Sequence, residues 1–243
     1  MRNRRWMAGG LALLMAIALA GTAGAADLLY DPYGSWNGKK IYLSPARHSD
    51  SGSRGECGSQ GENDLAYYAA WYATNGSYYS DSYNPSSSYR NLRARGYKVR
   101  IGRGTVSSAI SNSNSWGATL HIPMHSNADV YNGCSRTGTS GFGTNVIYWH
   151  TSGGGPGLAD ELVYTVGSAS GMTSPGTNDY KCYNPGHPCT TITLGELRYT
   201  YAVAAYMESE FHTWNTGYDW LDDSHYWAWR LGWAIDMHLG YPR

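Results

Sequence analysis

Three polar residues stand where apolar segments of the sequence stop, and their types suit metal-assisted hydrolysis. His48 follows a short apolar run, Glu62 opens a helix-like segment, and His125 ends the run ATLHIPMH. Two imidazoles and one carboxylate are a known ligand set for catalytic zinc, with a fourth position left for water. Bound zinc would bring the pKa of that water toward roughly 7, which makes hydroxide available at neutral pH.

A further carboxylate could move protons beside such a metal. Glu208 is a charged residue at the end of the apolar segment YAVAAYME, a position that a chemical role would explain. Next to an activated water it could act as a general base and then pass the proton to a leaving amine. Because side chains two apart on a strand face the same side, Glu210 is an alternative base. We prefer Glu208.

The elements that must position these residues alternate between strand-like and helix-like patterns. Apolar runs predict strands at residues 39–44, 96–104, 118–125, 143–150 and 201–208. Helical spacing predicts helices at residues 62–75, 106–110, 158–166 and 227–238, and residues 171–191 read as a loop. This alternation predicts a single α/β domain, with a twisted, mainly parallel sheet and helices on both faces. Ligands of such sheets gather at the carboxyl ends of the strands, where the polar residues above lie.

Four motifs in order resemble the zinc-dependent N-acetylmuramoyl-L-alanine amidases. They are ARHSDSGSRG, GEND, HIPMHSNA and AAYMESEF, and the similarity extends over about residues 39–240. The resemblance implies that His48, Glu62 and His125 bind Zn²⁺ and that Glu208 is the acid–base residue. It also implies peptidoglycan as the substrate, cut at the amide between N-acetylmuramic acid and L-alanine.

The sequence departs from the family pattern at several positions. Ser44-Pro45-Ala46-Arg47 stands where Asp-Pro-Gly is usual before the first histidine, and Ser49 and Glu210 replace glycines. These differences bear on substrate preference more than on the reaction. Asn127, within the third motif, and Arg198 are candidates for substrate binding, although a surface ion pair explains Arg198 equally well.

His121 forms an H-x-x-x-H pattern with His125, but Pro123 between them opposes the helix that a zinc-protease motif needs. We therefore expect His121 to be packed rather than to bind metal.

The four cysteines indicate two disulfides in an exported protein. Cys182 and Cys189 bracket the turn-rich YNPGHP, which favours a local bridge and leaves Cys57 to pair with Cys134. A structural zinc site is less favoured because the cysteines lack paired C-x-x-C spacing.

The beginning of the chain predicts export. Arg2, Arg4 and Arg5 precede an apolar run at residues 8–20 and a small-residue cleavage site, so residues 1–25 read as a signal peptide and residues 26–243 as the mature domain. The Arg4-Arg5 pair leaves a twin-arginine route open.

Removing three of the 18 basic residues leaves 15 against 18 acidic ones, a net charge of −3. This charge argues against nucleic acid as a partner, and we expect no membrane span in the mature chain and a secreted location, extracellular, in the wall or in the periplasm.

Two other functions remain compatible with the sequence. A secreted zinc peptidase acting on wall peptides would use the same metal chemistry and cut a different bond. A wall-binding protein without catalysis would keep the fold, although the presence of all four candidate residues argues against it. The sequence does not identify protein partners.

Overall fold

The computed structural model describes residues 25–46, 57–76, 91–128, 134, 143–169, 176–179 and 194–241. His48, Cys182 and Cys189 lie outside these ranges, as do residues 1–24 of the expected signal peptide. The predictions that rest on them therefore stay predictions.

A seven-stranded mixed sheet forms the centre of the described part, in the order β1-β3-β2-β4-β7-β5-β6. Strands β3, β2, β4 and β7 run parallel to one another, and β5 is parallel to β6. The β1–β3 and β5–β7 pairs are antiparallel, so the expectation of a mainly parallel sheet is confirmed. The strands are β1 (Leu28–Tyr30), β2 (Lys40–Pro45), β3 (Lys98–Ile101), β4 (Leu120–Asn127), β5 (Asn145–Tyr148), β6 (Gly176–Asp179) and β7 (Val203–Phe211).

Helices cover both faces of the sheet, as predicted. The described helices are α1 (Glu62–Asn75), α2 (Val106–Trp116), α3 (Gly155–Thr165), α4 (Gly195–Arg198), α5 (Asn215–Asp222) and α6 (Ser224–His238). Helices α1, α3 and α6 bury Leu65, Leu158 and Leu231 in the main core. On the opposite face α4 packs Leu197 against Ile147 and Ala204, and α2 packs against α4.

Alternation along β4 separates the core from the polar side of the sheet. Leu120, Ile122 and Met124 belong to the main core, whereas His121 and His125 occupy the alternate positions of the strand. Both histidines are nevertheless buried: Glu196 of α4 contacts His121, and the ring of Tyr206 stacks on His125. A strand that is buried on both faces can thus hold polar groups in a dry setting, provided that each finds a partner.

The structure corrects several element boundaries. Strand β7 continues to Phe211 and β4 to Asn127, so Glu208 and His125 lie inside their strands rather than at the ends. Residues 176–179, expected in a loop, form β6 beside β5. Strand β1 and helices α4 and α5 were not predicted. In the described ranges, none of the helices has the length and apolar character needed to span a bilayer.

Candidate functional site

His125 and Glu208 are brought together by the pairing of two adjacent parallel strands. Strand β4 places His125 directly opposite Glu208 on β7. The register shifts between His125 and Asn127, because Asn127 pairs with Phe211. Strand β7 therefore contains one extra residue just beyond Glu208, a bulge of the kind that often re-aims side chains next to active sites.

Glu62 reaches the same place from the start of α1. The helix begins at Glu62, as predicted, and its first turn carries two carboxylates, Glu62 and Asp64, which suit the positive end of the helix dipole. His125 Nδ1 donates a hydrogen bond to Glu62 Oε1 at 2.9 Å, and the backbone N–H of Ser126 donates to the same oxygen at 3.1 Å. Both Glu62 and His125 are buried.

The Glu62–His125 pair fits two corners of a zinc site. Zinc ligands about 2.0–2.2 Å from a tetrahedral centre stand roughly 3.3 Å apart. Glu62 Oε1 and His125 Nδ1 lie 2.9 Å apart in a hydrogen bond, so zinc at these two atoms would replace the shared proton. Within the described ranges no group of three His, Cys, Asp or Glu side chains forms a metal site. The third predicted ligand, His48, falls outside those ranges.

Glu208 has the protonation behaviour expected of a proton carrier. The residue is half-buried, and its Oε2 atom is inaccessible to solvent. Burial raises the pKa of this carboxyl, His125 lowers it and the charge of Glu62 raises it, which leaves the pKa at about 7. A carboxyl with this pKa exchanges protons readily at neutral pH.

His125 is drawn toward its protonated form by the carboxylates around it. Burial lowers its pKa, but the hydrogen bond with Glu62 and the charges of Glu208 and Glu62 outweigh burial and raise it above 6.5. The ring of Tyr206 stacks on His125, with centroids 4.6 Å apart and planes inclined by 14°. Hydrogen bond and ring contact together fix the orientation of the imidazole. Tyr206 was not predicted, although it lies two residues before Glu208 on the same strand.

Glu210 differs from Glu208 in its surroundings. Glu210 is completely buried. Glu208 pairs in register with His125, and its charge contributes to the pKa of that histidine. The bulge after Glu208 also means that simple strand alternation does not fix the direction of Glu210. These observations favour Glu208 as the proton carrier.

Ser126 and His212 form a connection that sequence reasoning missed. Ser126 Oγ and His212 Nδ1 share a hydrogen bond of 2.8 Å, and both residues are buried. The backbone N–H of His212 donates to the Asn127 carbonyl at 3.1 Å, and its own carbonyl accepts from Cys57 at 3.0 Å. His212 thus joins β7 to the end of β4 and to the segment before α1. The only signal in the sequence is that Ser126 directly follows His125.

Cys57 is disulfide-bonded to Cys134, as predicted, with Cα atoms 5.1 Å apart. The bridge connects the segment that leads into α1 to the segment that follows β4.

His121 is buried and packed, also as expected: its Nε2 lies 3.0 Å from Glu196 Oε1, and its ring stacks on Tyr42.

The two candidates for substrate binding lie in different places. Asn127 is at the carboxyl end of β4, two residues from His125, and its side chain accepts a hydrogen bond from the backbone of Ala128. Arg198 ends α4 and lies against Trp149 and Tyr199, near the amino end of β7. The structure therefore brings Asn127, but not Arg198, to the end of the sheet that holds Glu208.

No family model matches the sequence, and no curated protein does. Solved structures of N-acetylmuramoyl-L-alanine amidases do match. AmiC2 of Nostoc punctiforme superposes with a TM-score of 0.62 at 14% identity, covering 85% of this chain and 99% of that one. An amidase from Clostridium difficile 630 gives 0.58 at 14% identity, covering 84% and 98%. The catalytic domain of CwlV from Bacillus (Paenibacillus) polymyxa gives 0.58 at 13% identity, covering 84% and 99%. The chain therefore has the fold of these catalytic domains, as its motifs predicted.

Proposed function

We propose that this chain is an N-acetylmuramoyl-L-alanine amidase, which hydrolyses the amide between the lactyl group of muramic acid and L-alanine in peptidoglycan. The observation that carries the proposal is the meeting of Glu62, His125 and Glu208 at one end of the sheet. The proteins that share the fold carry this activity in their names. A carboxylate with a pKa of about 7 beside a potential metal site is the machinery that amide hydrolysis needs.

Glu62 and His125, together with His48 from the sequence, would hold zinc. When bound, zinc would supply a Lewis acid for the scissile carbonyl and would lower the pKa of a water molecule. The Ser126 N–H donates to Glu62 Oε1 and would keep this carboxylate oriented. The ring of Tyr206 would hold the plane of the His125 imidazole.

Glu208 would move the proton. As a carboxylate it takes a proton from the attacking water, and as a carboxylic acid it gives that proton to the nitrogen of L-alanine when the C–N bond breaks. The products are a lactyl carboxylate on the sugar and a free amine on the peptide. A pKa of about 7 lets one side chain serve both steps near neutral pH.

The site of action would be the cell wall outside the cytoplasm. Residues 1–25 have the pattern of a secretory signal. The Cys57–Cys134 disulfide fits an oxidising compartment. Release of the mature domain, residues 26–243, would bring the enzyme to its polymeric substrate.

The test is mass spectrometry of the products from purified peptidoglycan incubated with residues 26–243 and zinc. We expect intact stem peptides that begin with L-alanine. Glu208→Gln should lower the rate by roughly 10²–10⁴-fold, because it removes the proton carrier without changing its size. Glu161→Gln, on α3 and outside the site, is the matched control and should keep the wild-type rate.

Other products would assign a different function. Shortened stem peptides still attached to muramic acid would identify a peptidase. A folded, zinc-loaded protein that binds sacculi and releases nothing would contradict the amidase proposal and favour a binding role. Full activity after chelation of zinc would contradict the metal assignment.

A further inference from the structure

We propose that the cavity beside Arg198 is a second binding site, which takes a sugar that carries a carboxylate. The cavity has a volume of about 460 Å³. This lies within the range of about 300–1,000 Å³ that small-molecule sites occupy. Its walls come from the end of β5, the turn before α3, and the segment between α4 and β7, including Trp149, Ser152, Arg198, Thr200, Tyr201 and Ala204.

This cavity is separate from the proposed catalytic site. Both involve β7, but the cavity lies at Val203 and Ala204, near the amino end of the strand. Glu208 is four residues beyond Ala204, which corresponds to roughly 13 Å at the rise of an extended strand. A ligand of one sugar unit in the cavity would therefore not touch Glu208.

The aromatic side chains around the cavity suit a sugar ring. Tyr201 is 89% exposed, so its ring is accessible to a ligand, and a tyrosine offers both an apolar face and a polar tip. Trp149 lines the same cavity. Ser152 and Thr200 add hydroxyl groups that can donate to or accept from sugar hydroxyls. Flat rings with polar neighbours fit an amphipathic ligand better than a purely apolar one.

The charge of the cavity selects for an anion. Among the described residues that line the cavity, Arg198 is the only charged one. Its guanidinium lies over two aromatic rings, 5.9 Å from the centre of the Trp149 ring and 5.2 Å from that of Tyr199. Within the described part of the chain, no carboxylate forms a salt bridge with Arg198. A guanidinium can bind a carboxylate through two parallel hydrogen bonds, which adds geometric specificity to the attraction of opposite charges.

The reaction proposed above generates such a ligand. Hydrolysis of the muramoyl amide adds water across the C–N bond, and it leaves a lactyl carboxylate on the sugar and an amine on the peptide. The glycan product therefore carries a sugar and a carboxylate together. The identity of the natural ligand rests on the proposed function, whereas the binding chemistry of the cavity does not. An enzyme with this site would remain bound to glycan chains from which it has already removed the stem peptides.

The experiment compares two sugars that differ in the carboxylate. Binding of N-acetylmuramic acid and of N-acetylglucosamine to zinc-loaded Glu208→Gln protein is followed by NMR titration. We expect the carboxylated sugar to bind roughly five- to ten-fold more tightly, with shifts around Trp149 and Tyr201. Arg198→Gln should abolish the preference, and Tyr201→Ala should weaken binding of both sugars. Tyr164→Ala, which removes a tyrosine 60% exposed on α3, is the control and should change neither.

Three outcomes would overturn the inference: equal affinity for the two sugars, unchanged binding in Arg198→Gln, or shifts confined to the surroundings of His125. Arg198 and Tyr201 are both exposed, so loss of binding through misfolding is checked by thermal melting of each variant. Because no turnover is needed, the result is independent of the amidase assay. A protein that lacks amidase activity and still prefers the carboxylated sugar would refute the proposed function alone.

Discussion

Two residues of the proposed site, Glu208 and His125, influence each other's protonation. Burial raises the pKa of the Glu208 carboxyl to about 7, and the carboxylates around His125 raise the pKa of its imidazole despite burial. In the metal-free protein, ionised Glu208 occupies a poorly solvated position, which costs free energy. The arrangement that suits proton transfer therefore also lowers stability at alkaline pH.

This linkage predicts how the metal-free protein responds to pH. Glu208 has a pKa of about 7 in the folded protein against 4.5 as its ordinary value. Between these values the folded state keeps a proton that the unfolded state releases, so stability falls as pH rises from about 4.5 to 7. The loss from Glu208 is at most about 3 kcal/mol. The raised pKa of His125 acts in the same direction, because its stabilising proton is lost as pH rises.

The measurement is urea unfolding in the presence of chelator at pH 5, 6, 7 and 8. Glu208→Gln has no proton to lose, so its free energy of unfolding should change less across this range than that of the wild type. Parallel pH profiles for the two proteins would show that burial does not perturb Glu208 in the folded state.

At the level of elements, one buried junction holds β4, β7 and the start of α1 together. Ser126 contacts Glu62 through its backbone N–H and His212 through its hydroxyl. His212 in turn bonds to the backbone of Asn127 and of Cys57. The position of the proposed ligand Glu62 thus depends on the contact between Ser126 and His212, which does not involve Glu62 itself. Such indirect support of a ligand is common in metal sites.

Ser126→Ala should therefore weaken zinc binding by roughly ten-fold, because it releases Ser126 from His212 while keeping the backbone donor to Glu62. Zinc affinity is measured by competition with a chromogenic chelator, which does not depend on turnover. Ser113→Ala, at a buried serine on α2, is the matched control. If the two variants bind zinc equally well, the Ser126–His212 contact has no positioning role.

Elements with a strong local pattern were predictable, and those stabilised by distant contacts were not. Helix α1 starts at Glu62 as predicted, because helical apolar spacing follows Gly61 directly. The end of β7 was missed because Ser209 and Glu210 are polar, yet both are buried. The backbone carbonyl of Ser209 accepts a hydrogen bond from the hydroxyl of Thr144, 65 residues away. Strand β6, Gly176–Asp179, has no apolar residue and exists through pairing with β5.

In the candidate site, too, local patterns were predictable and distant contacts were not. The types and order of Glu62, His125 and Glu208 were readable from the sequence, since each stands where an apolar pattern meets a polar residue. The contacts that support them were not. His121 and Glu196 are 75 residues apart, and Ser126 and His212 are 86 apart, so only the folded sheet brings each pair together. Sequence spacing carries no information about such pairs without a known fold.

For the whole molecule, the site is assembled from segments that span much of the chain, and the Cys57–Cys134 disulfide restricts how far they can separate. The bridge joins residues 77 apart in sequence, and the closed loop includes Glu62 and His125. On the chain-entropy model, a bridge of this span stabilises the folded state by about 4.5 kcal/mol at most, chiefly by restricting the unfolded chain. It also limits local separation of α1 from β4, on which the Glu62–His125 contact depends.

Replacing both cysteines, Cys57→Ser with Cys134→Ser, should therefore lower the free energy of unfolding by about 2–4 kcal/mol and weaken zinc binding in parallel. The comparison is Cys182→Ser with Cys189→Ser, where the expected bridge closes a much shorter segment. Because the entropic effect grows with the logarithm of loop length, this second pair should cost about half as much, and it should leave zinc affinity unchanged. Urea unfolding and chelator competition on the same samples separate the two effects. A Cys57/Cys134 variant that loses stability but binds zinc normally would mean that the bridge stabilises the domain without organising the site.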